Sequence, residues 1–110
     1  HIARFLNDSG VICCASFVAP NADSREHAIS VIGKDNCYLV YCNAPIEVCI
    51  QRDPSGLYAA AEGSDSTDIP GLSFPYVPPE TTHLELDTEA LSIEECLDQV
   101  FKLMQEKEII

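Results

Sequence analysis

The chain has 110 residues, is 46% hydrophobic, and sets six basic side chains against eighteen acidic ones, for a formal net charge of −12. That length and apolar content fit one globular domain. The charge excludes a nucleic-acid backbone or an anionic membrane as partner, because both need clustered Lys or Arg.

Residues 1 to 9, HIARFLNDS, set Ile2, Phe5 and Leu6 on one helical face, with Gly10 as a natural stop. VICCASF, 11 to 17, is a nearly unbroken apolar run and predicts a strand buried on both faces, as in a parallel sheet. VAPNADS, 18 to 24, is a loop, and Ser24 is placed to cap a helix REHAISVI that ends before Gly33. CYLVYCN, 37 to 43, predicts a second buried strand. APIEVCIQR, 44 to 52, predicts a short helix with Pro45 in its first turn. Pro54 ends it, since the residue before a proline is pushed out of the α region.

Residues 63 to 80 hold Gly63, Pro70, Gly71, Pro75, Pro78 and Pro79 among polar residues, so a long loop is expected there. HLELD, 83 to 87, alternates weakly and predicts a third, shorter strand. Ser92 and Glu95 have the spacing of a capping box. Behind them Ile93, Cys96, Leu97, Val100, Phe101 and Met104 predict one buried helical stripe, with Glu94, Glu95, Asp98 and Glu106 on the solvated side.

Helices alternating with buried strands imply an α/β fold: a parallel sheet with helices on both faces. Three strands make a poor sheet of this kind, and the outer ones are too apolar for edges. The sequence therefore reads as the C-terminal part of a larger α/β domain, incomplete at its N-terminus. The chain opens without Met, inside an apparent helix.

Cys13, Cys14, Cys37, Cys42 and Cys49 lie in apolar runs and, with Cys96, read as reduced core residues of a cytosolic protein. There is no C-x-x-C pair, and His1, His27 and His83 share no ligand spacing, so no metal site is expected. No apolar run reaches membrane-spanning length, and no signal peptide is present. An anionic ligand must then be met by a few local cations. Arg52 is the best candidate, at the break Arg52-Asp53-Pro54, with Asp53 placed to hold its guanidinium. An Arg-Asp pair that only fixes the helix break fits the same residues. Arg25 either approaches an anion or pairs with Asp23 or Glu26 on the surface. None of the five glycines opens a G-x-x-x-x-G-K-[ST] phosphate cradle.

PIEVCIQRDPSGLY, 45 to 58, resembles P-[LI]-E-V-C-x-x-R-D-x-K-G-L-Y of the adenylylsulfate (APS) kinase family. ARFLNDSGVI, 3 to 12, is similar to its A-K-L-L-A-D-A-G-V-I, and SFVAPNADSREHA, 16 to 28, to its S-F-I-S-P-x-x-x-x-R-x-x-A. PGLSFPYVPPE, 70 to 80, resembles T-G-I-D-S-P-Y-E-P-P-E. LDTEALSIEECLDQV, 86 to 100, resembles L-D-T-x-x-L-S-V-E-E-C-V-D-Q-V. The resemblance runs through the whole chain in order.

The resemblance implies the second half of a three-layer P-loop kinase domain, with a lid at 52 to 62, a substrate loop at 63 to 80 and a terminal helix at 92 to 109. It implies transfer of the ATP γ-phosphate to the 3′-hydroxyl of APS, giving PAPS, with Mg²⁺ accompanying ATP and most of its ligands outside this chain. Arg52 and Asp53 are then expected at the nucleotide. Phe17, Val18, Pro20, Arg25, Ile69, Gly71 and Leu72 are expected at APS, and no catalytic residue or metal ligand falls in this segment. A homodimer, a fused or associated ATP sulfurylase component and a cytoplasmic location are implied as well.

The chain departs from the family pattern at Ala19 (often serine), at Ser55 and Ala59-Ala60-Ala61 (lysines expected), and at Ile69 (phenylalanine expected). Those departures support a second reading, a degenerate domain that binds nucleotide, PAPS or a partner and regulates sulfate activation. An α/β interaction module without a nucleotide site is a third. Residues 59 to 75 are expected to be poorly packed without ligand. The Arg52-Asp53 corner is expected at the carboxyl ends of the strands.

Overall fold

The computed structural model describes residues 1–62 and 68–110. Among them the chain runs α1 (Ile2–Asp8), α2 (Ala22–Ile32), a single 3₁₀ turn (Lys34–Asn36), β1 (Val40–Asn43), α3 (Ile46–Arg52), α4 (Leu57–Ala61), β2 (Leu84–Asp87) and α5 (Ile93–Glu106). β1 and β2 pair in parallel, with Val40 opposite Leu84, Tyr41 opposite Glu85, Cys42 opposite Leu86 and Asn43 opposite Asp87. This α/β arrangement has its strands' carboxyl ends together at Asn43 and Asp87.

Alternation along the strands sorts the two faces. Cys42 and Leu86 look toward α5, where they line a groove with Cys96, Leu97 and Val100. Tyr41 lies on the opposite face, its ring stacked on Tyr76 with centroids 6.2 Å apart. α2 reaches that face through Arg25, whose charge favours ionisation of the Tyr41 hydroxyl while burial, the larger effect, opposes it.

The expected strand at 11 to 17 does not form. A strand needs a neighbour to take its amides and carbonyls, and β1 and β2 pair only with each other among the described residues. The segment instead has no regular secondary structure, and Val11, Ile12 and Phe17 are exposed. The cap of α2 also moves. Asn21, not Ser24, is the N-cap, and its Oδ1 accepts from the Ser24 amide at 2.9 Å. Asn caps as well as Ser, and starting earlier lets Ala22 to Ser24 join the helix.

The α5 stripe is half covered. Cys96, Val100 and Met104 are half-buried, while Ile93, Leu97 and Phe101 are exposed; Leu103, outside the expected stripe, is buried. The helix presents its Cys96–Val100–Leu103 edge to the protein, and among the described residues nothing covers the other half. Among the described residues the buried apolar ones are Ile69, Leu86 and Leu103, one each from a loop, a strand and a helix. The Cα radius of gyration is 15.7 Å, above the roughly 13 Å of a compact chain of about 100 residues.

The start of α5 is set locally. Ser92 Oγ accepts from the Glu95 amide at 3.2 Å, and Glu95 Oε2 accepts from the Ser92 amide at 2.8 Å. The bond from the Ser92 main chain, then that from its side chain, holds the Glu95 carboxyl below its ordinary value. Because the folded value is the lower one, Glu95 stabilises the fold fully above the ordinary carboxylate range. That stabilisation fades as pH falls through the lowered value. Ser92→Ala is expected to cost about 1 kcal/mol in denaturant unfolding of the full-length protein and to reduce this acid-side dependence.

Candidate functional site

α3 ends at Arg52 because Asp53, at φ 17° and ψ 56°, leaves the helix and Pro54 cannot continue it. The Arg52 side chain turns to the carboxyl end of the sheet. Its Nη2 donates to the Thr88 carbonyl at 2.6 Å, and its Nη1 lies 3.4 Å from Thr88 Oγ1. Thr88 follows directly on β2, and both its amide and its hydroxyl donate to the Asn43 carbonyl, the last of β1, at 2.9 and 3.1 Å. The corner therefore lies at the strands' carboxyl ends, as expected. Open α/β sheets hold ligands at that end. The turn beyond is ordered too, since Asp87 Oδ1 accepts from the Glu89 and Ala90 amides at 3.1 Å each.

The groove beside this corner measures about 550 Å³. Arg52, Thr88 and Ser92 give it a polar end, and Leu86, Leu91 and Val100 an apolar floor. The guanidinium stays exposed, so a flat, permanently charged group borders an apolar trough. That suits an aromatic base carrying phosphates.

Asp53 does not hold Arg52. Its Oδ1 accepts from the Tyr58 amide at 3.1 Å and its Oδ2 from the Ala59 amide at 3.0 Å. The carboxylate satisfies amides at the start of α4, donors that a helix terminus cannot satisfy internally. Gly56, at φ +70°, makes the turn between them. Ala59 thus contributes a main-chain donor to the corner although its side chain carries none.

The expected APS residues fall on two segments. Phe17 is 85% exposed, Val18 is exposed and Pro20 half-buried. On the second segment Leu72 is exposed, but Ile69 is only 3% exposed and faces inward. Its amide donates to Ser73 Oγ at 2.6 Å, and its carbonyl accepts from the Leu72 and Ser73 amides at 3.1 and 2.9 Å. Gly71, at φ +86°, donates to the Phe74 carbonyl at 2.7 Å, and a Cβ there would lie 3.5 Å from Ile46 Cδ1. Within 69 to 75, part of the stretch expected to be poorly packed, this turn closes on itself through main-chain bonds and buries Ile69, while residues 71 to 75 are exposed. The part of that expectation on 63 to 67, with the lid's junction to the loop, lies outside the described residues.

Arg25 joins the two segments. It is 7% exposed, and neither Asp23 nor Glu26 forms an ion pair with it among the described residues. Its Nη1 donates to the Ala19 carbonyl at 2.7 Å and its Nη2 to the Val77 carbonyl at 2.8 Å. The Val77 amide donates to the Pro20 carbonyl at 2.8 Å. The surface pairing considered from sequence is therefore not what the side chain does.

All six cysteines are free thiols, but Cys14 and Cys42 are exposed and the other four half-buried, so none is a core residue here. They lose their expected cover with the missing strand at 11 to 17 and the bare half of α5. Partial burial still pushes the Cys37 and Cys42 thiols up. Among the described residues no group of three or more His, Cys, Asp or Glu is placed to hold a metal ion. No helix there is long and apolar enough to cross a membrane.

The model of the adenylylsulphate kinase family matches residues 1–87. The chain belongs to that family. It is 39% identical over all 110 residues to the bifunctional enzyme CysN/CysC of Rhodopirellula baltica, 17% of whose length it covers. It is 39% identical over 106 residues to the adenylyl-sulfate kinase of Bacteroides thetaiotaomicron, covering 53% of it. To the adenylyl-sulfate kinase of Halothermothrix orenii it is 38% identical over 106 residues, covering 56%. The chain thus spans about half the length of these kinases.

Sequence reasoning missed Thr88 and Asn43 as parts of the Arg52 corner. The signal was the L-D-T of residues 86 to 88, which the family resemblance contains. The role of Asp53 leads to a direct test. Asp53→Ala removes both acceptors and is expected to cost roughly 1–3 kcal/mol, read as faster amide exchange at Tyr58 and Ala59. Asp53→Asn keeps one acceptor oxygen and is expected to fall between.

Proposed function

We propose that the chain forms the lid and APS-binding part of an adenylylsulfate kinase, which transfers the γ-phosphate of ATP to the 3′-hydroxyl of APS to give PAPS. The observation that carries this reading is Arg52 held at the strands' carboxyl ends by Thr88, beside an apolar groove, in a chain of this family. ATP lies with its base along the groove, and the Arg52 guanidinium stacks on it or offsets phosphate charge as the transition state develops. Asp53 serves nucleotide binding indirectly, by fixing the first turn of the lid helix. Phe17, Val18 and Pro20 form one wall for APS, and Gly71 and Leu72 the other. Ile69 acts beneath that wall as its anchor.

The phosphate cradle and the surroundings of Mg²⁺ come from other parts of the working enzyme, since this chain has no G-x-x-x-x-G-K-[ST] and offers no metal cage among its described residues. We place the enzyme in the cytoplasm, as a homodimer, with an ATP sulfurylase component fused or associated; the bifunctional relative supports a fusion.

The lid favours a second reading. Ser55 and Ala59-Ala60-Ala61 supply no charge where lysines are expected. A degenerate domain that binds PAPS and regulates sulfate activation fits those residues.

A coupled assay on the full-length gene product separates the two. The kinase reading expects ATP-dependent PAPS formation, and the 110-residue chain alone is expected to show none. Arg52→Ala is expected to lower kcat/KM for ATP on the order of tenfold to a hundredfold, the usual cost of a charged hydrogen bond of about 1.5–3 kcal/mol. PAPS binding without turnover supports the regulator, and neither activity nor binding removes both.

A further inference from the structure

We propose that Arg25 is a positioning residue that locks the two APS-facing segments into one wall, so that substrate affinity depends on its fork and not on its charge alone. The inference rests on the kinase reading above and names the residue that assembles its APS site.

The side chain starts on α2 and is buried at 7% exposure, yet it meets no carboxylate among the described residues. A buried cation is tolerated only when its donors are satisfied. Here its Nη1 reaches the Ala19 carbonyl at 2.7 Å and its Nη2 the Val77 carbonyl at 2.8 Å. Those carbonyls belong to the two segments that carry Phe17, Val18 and Pro20 on one side and Gly71 and Leu72 on the other. The direct bond from the Val77 amide to the Pro20 carbonyl, 2.8 Å, is the same junction seen from the main chain.

Two further features show that the junction is built. Ala19 sits at φ +39°, a conformation that costs an L-residue of this kind of order 1 kcal/mol, and its carbonyl is the one Arg25 takes. Tyr76, next to Val77, stacks on Tyr41 of β1, so the second segment is pinned to the sheet beside the clamp. A planar fork aims its two Nη groups at carbonyls on separate segments in a fixed geometry, whereas a lysine ammonium is a point charge on a flexible stem. Carbonyl dipoles also leave the charge uncancelled, unlike a carboxylate partner.

The test uses the full-length protein with Arg25→Lys and Arg25→Gln. Arg25→Lys keeps the charge and loses the fork; Arg25→Gln loses the charge. Positioning expects both variants to raise KM for APS about tenfold or more, with KM for ATP and kcat within about threefold. It also expects faster amide exchange in 17 to 20 and 69 to 77 together. Normal APS affinity in Arg25→Lys but not in Arg25→Gln would show that the charge acts alone, and would overturn the proposal. So would faster exchange in one segment only, or in neither. If a variant fails to fold, the other carries the test. If both fail, exchange in the wild-type protein decides: the Val77 amide must open with the 17–20 segment, and independent opening overturns the clamp. If the wild-type protein makes no PAPS, the kinase reading fails by itself, and the exchange arms still judge the clamp.

Discussion

Four parallel pairs between Val40–Asn43 and Leu84–Asp87 hold the middle of the chain, and the site follows from them. Parallel strands cannot be joined by a tight turn, so the residues between must leave at the carboxyl end and return to the amino end. α3 is the first element of that crossover and only seven residues long. It breaks at Asp53 before the chain has moved far from the strand ends. Thr88 emerges from the neighbouring strand at the same end, and Arg52 and Thr88 therefore meet there. Thr88 ties its amide and hydroxyl to Asn43, so it joins both strands to the cation. Loss of the pairing would separate all three.

The same sheet explains how little is buried. A two-stranded sheet is marginal by itself, and one helix edge cannot enclose the apolar residues of a chain that is 46% hydrophobic. Ile2 and Phe5 of α1, the 11–18 segment and the outer half of the α5 stripe remain in solvent. Each was chosen by sequence for burial: the α5 spacing is that of a core helix, and 11 to 17 is that of a strand covered on both sides. The kinases this chain matches are about twice its length. Surface patterned this way and left bare suits packing against further sheet and helix. The 11–17 run likewise forms no helix of its own, because its β-branched and apolar residues suit a strand that needs neighbours.

The legibility of the fold in the sequence follows the range of each interaction. The α5 capping box and Gly33 after α2 depend on residues within one turn and appear where the sequence put them, and Pro45, expected in the first turn of α3, stands one position earlier as its N-cap. Asn21 outcompeted Ser24 as a cap because the two are chemically near equal and only the entry path of the chain decides between them. The strand at 11 to 17 was misread because a strand is a property of a pair, and the partner was not visible in its own residues. At the site, Arg52 was legible as a cation at a break, and its Thr88 contact was hidden only by distance. The partners expected of Asp53 and Arg25 were misread for a common reason. Both bind main-chain groups, and a backbone amide or carbonyl has no sequence signature. Charged neighbours such as Asp23, Glu26 and Arg52 itself offered obvious partners that the structure does not use.

The use of main-chain partners has an electrostatic consequence for this acidic chain. Of its six cations, Arg4 is paired with Asp8, Lys102 is exposed on α5, and Lys34 and Lys107 line a cleft with His83 before the amino end of β2, remote from the strands' carboxyl ends. Arg52 and Arg25 remain near the proposed ligands, with alanines and a serine where lysines would otherwise add charge. If either were held by a carboxylate, its field would be largely cancelled at the distance of a bound phosphate. Carbonyls fix the direction of a guanidinium without adding a net negative charge. Asp53 completes the arrangement from the other side: its negative charge is directed into the amides of α4, where a helix start favours it, and away from Arg52. A domain with a net charge of −12 can in this way keep the charge of the exposed Arg52 intact for an anionic ligand, while the buried Arg25 holds its two segments without a carboxylate beside them.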